Sequence, residues 1–431
     1  MHNPEVTYRS IFDVEKDPAQ WHTAFEQANK GLGLPLAHTF NLAWEKAAAL
    51  PIPQQKMEKW RWLDFSHVGL ADGKVWTNPE LKLDVEFIPA KEGDPKPDER
   101  SHEGLVITTF ADALRDHPDQ VASFLDRLDK PASEKFQVLA EALARNGLFV
   151  HVPKGLKVEG VAVVNVHGKL NPGMTATRVL IWLEPGAELK LVLESHNELQ
   201  HGGEGTFLQL SKTDLLLEDD SRLHFSDVSI FHQEVVTLLY NQARLGRAAK
   251  LEWIHAAVAT VLGKQSVEVS LEGEGADAEL KGFYFPSQGQ KISIDTVQNH
   301  LAPHTRSNLL FRGAANGNGE AIWRGMIFVD PIAQRTDGYQ SNQNLMLGDR
   351  SEIKSIPGLE ICADDVSCSH GATVGSIDEM ELFYLEARGI PRGDAVRLIV
   401  DGFFAEIIEL IPDEKTRNRV SERLIEKFDA S

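Results

Sequence analysis

Gly246-Arg247-Ala248-Ala249-Lys250-Leu251-Glu252-Trp253-Ile254-His255-Ala256-Ala257-Val258 is a small-residue turn followed by nine residues of strand character. The same pattern surrounds it on both sides. Val158–Val166, Thr177–Leu183, Glu188–Glu194 and Arg222–Ile230 are short, rich in Val, Ile and Leu, and bounded by Gly, Pro, Asn or Asp, which are strand signals. Pro185-Gly186-Ala187, Gly275-Ala276-Asp277 and Asn318-Gly319-Glu320 repeat the small-residue start. From 148 to 375 almost nothing has helical period, so this stretch reads as one large β domain. A sandwich, a barrel and a parallel β-solenoid all accommodate it. The turn starts are irregularly spaced, so no fixed repeat chooses among the three.

Helical signals occupy both flanks. Residues 1–147 read as a mostly helical domain. Asp17-Pro18 is an expected N-cap and first turn, with Trp21, Phe25 and Ala28 on one face. A second helix, Leu42 to Leu50, is stopped by Pro51, and a third lies near Gln120 to Leu128. A fourth is expected from a cap at Ser133, through Phe136, Leu139 and Leu143, to a stop at Gly147. Five of the eight tryptophans (21, 44, 60, 62, 76) precede residue 77, which suggests a small core of its own. Lys91 to Ser101 reads as a solvated loop.

Residues 376–431 form a C-terminal helical domain. Ser376-Ile377-Asp378-Glu379 has capping-box spacing, Gly389 is a stop, and Pro391 prevents continuation. The long helix that follows carries Val396, Ile399, Val400, Phe403, Phe404, Ile407, Ile408 and Ile411 at i, i+3, i+4 spacing. One reading packs this stripe on its own domain; the other makes it a partner-docking face, because a short hairpin has little core to cover it. On the second reading, removing 376–431 leaves the β core folded.

Charge and composition narrow the function. The 431 residues carry 44 Lys+Arg against 64 Asp+Glu, a net charge of -20. That excess repels phosphate backbones and anionic membranes, so neither nucleic acid nor membrane is an expected partner. No apolar run approaches the ~18 residues of a membrane helix. The N-terminal residues lack a secretory signal, and two cysteines, Cys362 and Cys368, give no disulfide framework. A cytoplasmic protein is expected. There is no G-x-x-x-x-G-K-[ST] phosphate loop, G-x-S-x-G elbow, H-E-x-x-H helix or C-x-x-C pair. An autonomous ATPase, esterase or zinc protease is therefore disfavoured.

Asp364-Asp365-Val366-Ser367-Cys368-Ser369-His370-Gly371 is the informative segment. If Val366 to His370 is extended, Cys368 and His370 lie on one face, with Cα atoms roughly 6–7 Å apart. A thiolate and an imidazole can then converge on one metal ion. A chance pair in a turn has the same spacing. Cys362, in an apolar run, reads as a small core residue. One rival is a stand-alone metal-binding enzyme built on Cys368, His370 and a histidine such as His300 or His304. Another is a β-solenoid carbohydrate-active enzyme using Asp364 and Asp365, although adjacent strand residues diverge and a glycosidase pair must flank one bond.

Further motifs extend the segment. Arg335-Thr336-Asp337-Gly338-Tyr339-Gln340, Pro357-Gly358-Leu359-Glu360-Ile361 and Ala363 through Gly375 resemble the signature of the SufB/SufD iron–sulfur cluster assembly family. Phe383 to Ile390 continues the resemblance, and Glu58-Lys59-Trp60-Arg61-Trp62 resembles an N-terminal element of its SufD branch. The Cys-Ser-His-Gly version is also similar to that branch, since the SufB branch carries a glutamate-containing segment and additional cysteines.

The resemblance implies a mainly β fold, a right-handed parallel β-helix core flanked by N-terminal and C-terminal α-helical domains. It implies a non-catalytic scaffold subunit that pairs with a SufB-like paralogue through the β-helix cores and docks a SufC-like ABC ATPase with its C-terminal helices. Phe383, Phe403, Phe404 and Ile407 are the expected ATPase-docking residues. Cys368 and His370 are the implied interface residues, transient ligands of an iron–sulfur cluster shared with SufB. ATP enters only through the SufC partner. A flavin at the level of the complex, and a homodimer of the isolated chain, are left open. Physical chemistry adds a bound: clusters generally take four protein ligands, mostly thiolates, and two cysteines cannot cage one alone.

Overall fold

The computed structural model describes residues 9–10, 18–54, 56–63, 65, 69–70, 75–90, 93, 97, 102–128, 134–199, 207–232, 234–258 and 260–429. The chain begins with β1 (Arg9–Ser10), α1 (Pro18–Asn29), α2 (Leu34–Ala49), β2 (Gly69–Leu70), β3 (Val75–Trp76), β4 (Leu81–Ile88) and β5 (Val106–Thr109). Then come α3 (Phe110–Asp116), α4 (Pro118–Arg127), α5 (Lys135–Leu143), β6 (Gly147–Val152), β7 (Val161–Leu170), β8 (Gly173–Leu183) and β9 (Glu188–Leu199). The middle holds β10 (Phe207–Leu217), β11 (Arg222–Ile230), β12 (Val235–Leu245), β13 (Lys250–Val258), β14 (Leu262–Leu271), β15 (Asp277–Tyr284) and β16 (Lys291–His300). The chain ends with β17 (Arg306–Ala315), β18 (Glu320–Val329), β19 (Asp337–Met346), β20 (Glu352–Ile361), β21 (Ser367–Ser376), α6 (Glu379–Glu386), α7 (Arg392–Ile408) and α8 (Glu414–Asp429).

Successive strands alternate between two sheets, even-numbered from β6 to β20 in one and odd-numbered from β7 to β21 in the other. All these neighbours pair in parallel, which makes a β-solenoid of about eight turns. The expected class, mainly β with a parallel β-helix between helical ends, is the one the chain adopts. Leu189 stands in register with Leu223, Leu251, Ala278, Ser307, Gly338 and Cys368 on successive rungs. The step from 189 to 223 is 34 residues and that from 251 to 278 is 27, which is why no fixed repeat shows in the sequence.

Inward side chains such as Leu191, Phe225, Trp253, Leu280, Ile294 and Trp323 form the main core. The two outer faces are covered separately. Phe40, Phe110, Phe124, Phe136 and Leu143 pack on Ala176, Trp182, Leu210 and Leu238 of the even-numbered sheet. The tryptophan-rich flank therefore shares its core with the solenoid rather than building its own. Lysine, arginine and tryptophan finish this contact. Lys264 Nζ and Arg324 Nη2 each donate to the Lys59 carbonyl at 3.0 Å while both cations hold Asp295, and Lys354 lies over the Trp62 ring.

On the other sheet, Val400, Phe404, Ile407, Ile408 and Ile411 pack on Val192, Val228, Ile254, Phe283 and Ala314. Glu194, buried on β9, locks this layer in place: Arg419 Nε donates to it at 2.6 Å, Thr416 Oγ1 at 2.6 Å, and His196 lies 2.9 Å away. Burial alone would raise the Glu194 carboxyl. The hydrogen bonds from His196, Arg419 and Thr416 outweigh it and bring it down to about 2.

Several local expectations shift. Gly147 does not stop a helix; α5 ends at Leu143 with Ala144 as cap, and Gly147 opens β6 at φ +140°. A Cβ there would stand 1.8 Å from the Arg178 carbonyl oxygen, so only glycine fits this approach. Ser376 ends β21 instead of capping, and Asp378 caps α6 by accepting from the Met380 amide at 2.8 Å. Gly389, at φ +86°, turns the chain after α6. The expected caps at Asp17 and Ser133, and the loop Lys91–Ser101 apart from Gly93 and Pro97, lie outside the described residues.

Candidate functional site: the last rung of the solenoid

β20 and β21 end their sheets, and among the described residues each has one neighbouring strand in its sheet. Their inward positions, in register with buried residues of β18 and β19, have no further rung to cover them. Ile361 follows Val329 and Val374 follows Asn344. Val329 and Asn344 are buried, whereas Ile361 and Val374 are each 41% exposed. No residue of β21 is buried.

Cys368 and His370 lie on this rung, at inward positions two apart, in register with Gly338 and Gln340. The strand starts at Ser367, so the spacing that the sequence gives does place thiol and imidazole on one face. His370 is exposed and Cys368 half-buried. Burial pushes the Cys368 thiol up, and the Asp337 carboxylate adds to that, while the Gly338 amide pulls the other way. Beneath His370, Gln340 is fully buried and donates its amide to the Gly358 carbonyl at 3.0 Å.

The other candidates separate. His300 is fully buried, with Nδ1 2.8 Å from Thr305 Oγ1 and Nε2 2.8 Å from Ser307 Oγ. Burial lowers it to about 4, so it is a neutral core imidazole. His304 sits in a turn at φ +59°, 3.9 Å from Glu274. Among the described residues no three His, Cys, Asp or Glu side chains converge as a metal site. Asp364 and Asp365 lie in an exposed bend before β21, and Asp365 pairs with Arg335 at 3.6 Å. Cys362 is exposed rather than in the core, because it comes just after β20 on the uncovered rung.

The ATPase-docking set also divides. Phe404 is 1% exposed, with its ring 5.5 Å from Phe283, and Ile407 is fully buried beside it. These two are core residues of the chain itself, so they are withdrawn as docking residues. The reason is the apolar outer face of the odd-numbered sheet, which covers the stripe. The same contact means that removing 376–431 would bare the apolar outer face of the odd-numbered sheet. Phe403 is half-buried under Arg312. Phe383 remains open at 65%, as do Met380 at 72% and Tyr384 on α6, and Leu398 on α7. The sequence marked Phe383 through the resemblance. Met380 had no signal, since α6 is too short for a clear period, and Leu398 of α7 falls off the i, i+3, i+4 stripe.

Residues 165–403 match the family described as SUF system FeS cluster assembly, SufBD core domain, and residues 87–163 match the SufBD protein N-terminal region. An iron–sulfur cluster assembly SufBD family protein of Mycobacterium tuberculosis is 28% identical over 388 residues, covering 86% of this chain and 88% of that one. The iron–sulfur cluster assembly protein SufD of Bacillus subtilis is 25% identical over 399 residues, with 88% and 90% covered. SufD of Escherichia coli is 27% identical over 349 residues, with 75% and 77% covered. Among the described residues no helix is long and apolar enough to cross a membrane.

Proposed function

The chain belongs to the SufB/SufD family of iron–sulfur cluster assembly proteins, and we propose that it serves there as a non-catalytic scaffold subunit whose last rung pairs with a SufB-like paralogue. The observation that carries the reading is the open end of the solenoid. Two edge strands, apolar inward positions left exposed at Ile361 and Val374, and a cysteine and histidine on one face occur together. An uncovered, parallel-paired edge is an aggregation hazard unless something covers it. A second solenoid offering its own last rung is a matching cover.

In this reading the cluster is cargo. Cys368 and His370 supply part of its ligand set, and the paralogue supplies the thiolates that this chain lacks. A cluster held by two subunits is released when they part, which suits a donor of clusters. The exposed α6 face, with Phe383, Met380 and Tyr384, docks the ABC ATPase. Nucleotide-driven motion reaches the last rung through α6, the element directly after β21. The chain itself turns over no substrate.

Purification at native expression level, with identification of co-purifying chains and assay of bound iron and sulfide, tests this. The expected result is a complex with a SufB-like chain and an ABC ATPase, and no ATP hydrolysis by the chain alone. A chain recovered without either partner, or one that hydrolyses ATP by itself, contradicts the scaffold role.

A further inference from the structure

Gly338 lies in register between Ser307 on β17 and Cys368 on β21. A Cβ on Gly338 would point inward, 3.2 Å from Cys368 Sγ, 3.3 Å from Ile327 Cγ2 and 3.4 Å from His300 Nε2. The thiol on the open rung is thus folded back over a residue with no side chain, toward the buried imidazole. These three neighbours differ in their freedom. His300 is pinned through both ring nitrogens by Thr305 and Ser307. Ile327 is fully buried with Val329, Ala333 and Ala363. Cys368 sits on an edge strand with an open side, and one bond rotation carries its sulfur outward. A methyl group at 338 therefore displaces the thiol before it displaces anything else.

We propose that Gly338 is a positioning residue for Cys368: its bare Cα forms a recess that stows the thiol in the free chain, and rotation out of that recess presents the sulfur to a cluster shared with the partner. The outward presentation rests on the scaffold reading above; the recess does not. Without the recess, the thiol would stand permanently on the open rung, available to oxidants and to other thiols. With it, Cys368 and His370 play different parts on the same strand. The imidazole is presented from the start, whereas the sulfur is released on docking.

The test uses two single-cysteine chains, Cys362→Ser to report Cys368 and Cys368→Ser to report Cys362, each alkylated with N-ethylmaleimide. Because alkylation follows thiol access and thiolate character, Cys368 is expected to react at least about tenfold slower than the exposed Cys362. Adding Gly338→Ala should speed Cys368 about fivefold or more, since it drives that thiol out of burial, and leave Cys362 unchanged, since its surroundings stay as they were. Equal rates for the two thiols in the chains with Gly338 intact overturn the recess without any change at 338. So does a Cys368 rate that Gly338→Ala fails to raise. Acceleration of both thiols means that the substitution loosened the whole rung, which contradicts a specific positioning role. Cluster yield separates the two halves of the proposal. If alkylation behaves as expected but Cys368→Ser complexes assemble clusters normally, the presentation to a shared cluster is overturned and the recess stands.

Discussion

The two ends of this solenoid are finished in opposite ways. At the first rung, β4 and β5 turn back to pair antiparallel with β7 and β6, and helices cover the outer face, so that every residue of β6 is buried. At the last rung, no residue of β21 is buried, and among the described residues no further strand of its sheet stacks on it. Both ends have the same backbone architecture, so the difference lies in the flanking segments. The N-terminal flank supplies a cap for the first rung. The C-terminal flank leaves the last rung and runs along the side of the solenoid, where α7 and α8 cover the odd-numbered sheet. A chain that caps one end and uses its other helices elsewhere leaves the second end uncovered.

The covered flank is the place to look for the largest effect on stability. Phe404→Ala removes a fully packed ring and should cost about 3–5 kcal/mol in chemical denaturation. Phe383→Ala, on the exposed turn of α6, should change stability by no more than about 0.5 kcal/mol. It should nevertheless weaken ATPase binding by more than about 1 kcal/mol, as central interface aromatics do. If the two substitutions destabilise equally, the division between covered and open helix faces is wrong.

The Glu194 lock should have the next largest effect, with a distinct pH signature. Glu194→Gln leaves Arg419 without its carboxylate; since Arg419 is more than one-third exposed, the expected cost at pH 7 is about 2 kcal/mol, below the range for fully buried pairs. The folded carboxyl is depressed to about 2 from an ordinary value near 4.5. Its contribution is therefore present above pH 4.5 and is lost as pH falls toward 2. Stability curves of both chains at pH 7 and pH 3 should show the gap narrowing at the lower value. A gap that widens on acidification contradicts the assigned charge state.

The open end should show almost no stability effect and a large association effect. Ile361→Asp should alter unfolding of the isolated chain by no more than about 0.5 kcal/mol. It should weaken pairing with the SufB-like paralogue at least about tenfold, a difference of 1.4 kcal/mol. Sedimentation of mixed chains measures this, and undiminished pairing would place the interface elsewhere.

The sequence made the helix–strand–helix order legible because strand runs such as Arg222–Ile230 and Lys250–Val258 begin and end where the sequence says. It did not make the solenoid itself legible. Rungs of unequal length hide the period, and inward Gln298, Gln340, Asn342 and Asn344 interrupt the apolar alternation that marks a core face. The stripe on α7 was legible, but its cover was not. The clue lay in strands apolar on both faces, such as Trp253-Ile254-His255-Ala256-Ala257-Val258, since a strand buried on both sides needs a layer outside it. Pro357 in β20 carried another clue, because proline in a strand belongs at a sheet edge. Of the site, the Cys368–His370 spacing was readable from alternation alone. The recess at Gly338 was not, since it depends on which residues stack across rungs 27 to 34 residues apart.

The most direct test of the open rung as the place of cluster work is His370→Ala in the complex with both partners. His370 is exposed, so folding and pairing should match those of the unaltered complex by circular dichroism and co-purification. Iron and sulfide bound per complex should fall sharply after assembly. An altered complex that assembles intact and carries the same iron and sulfide as the unaltered one would contradict the account.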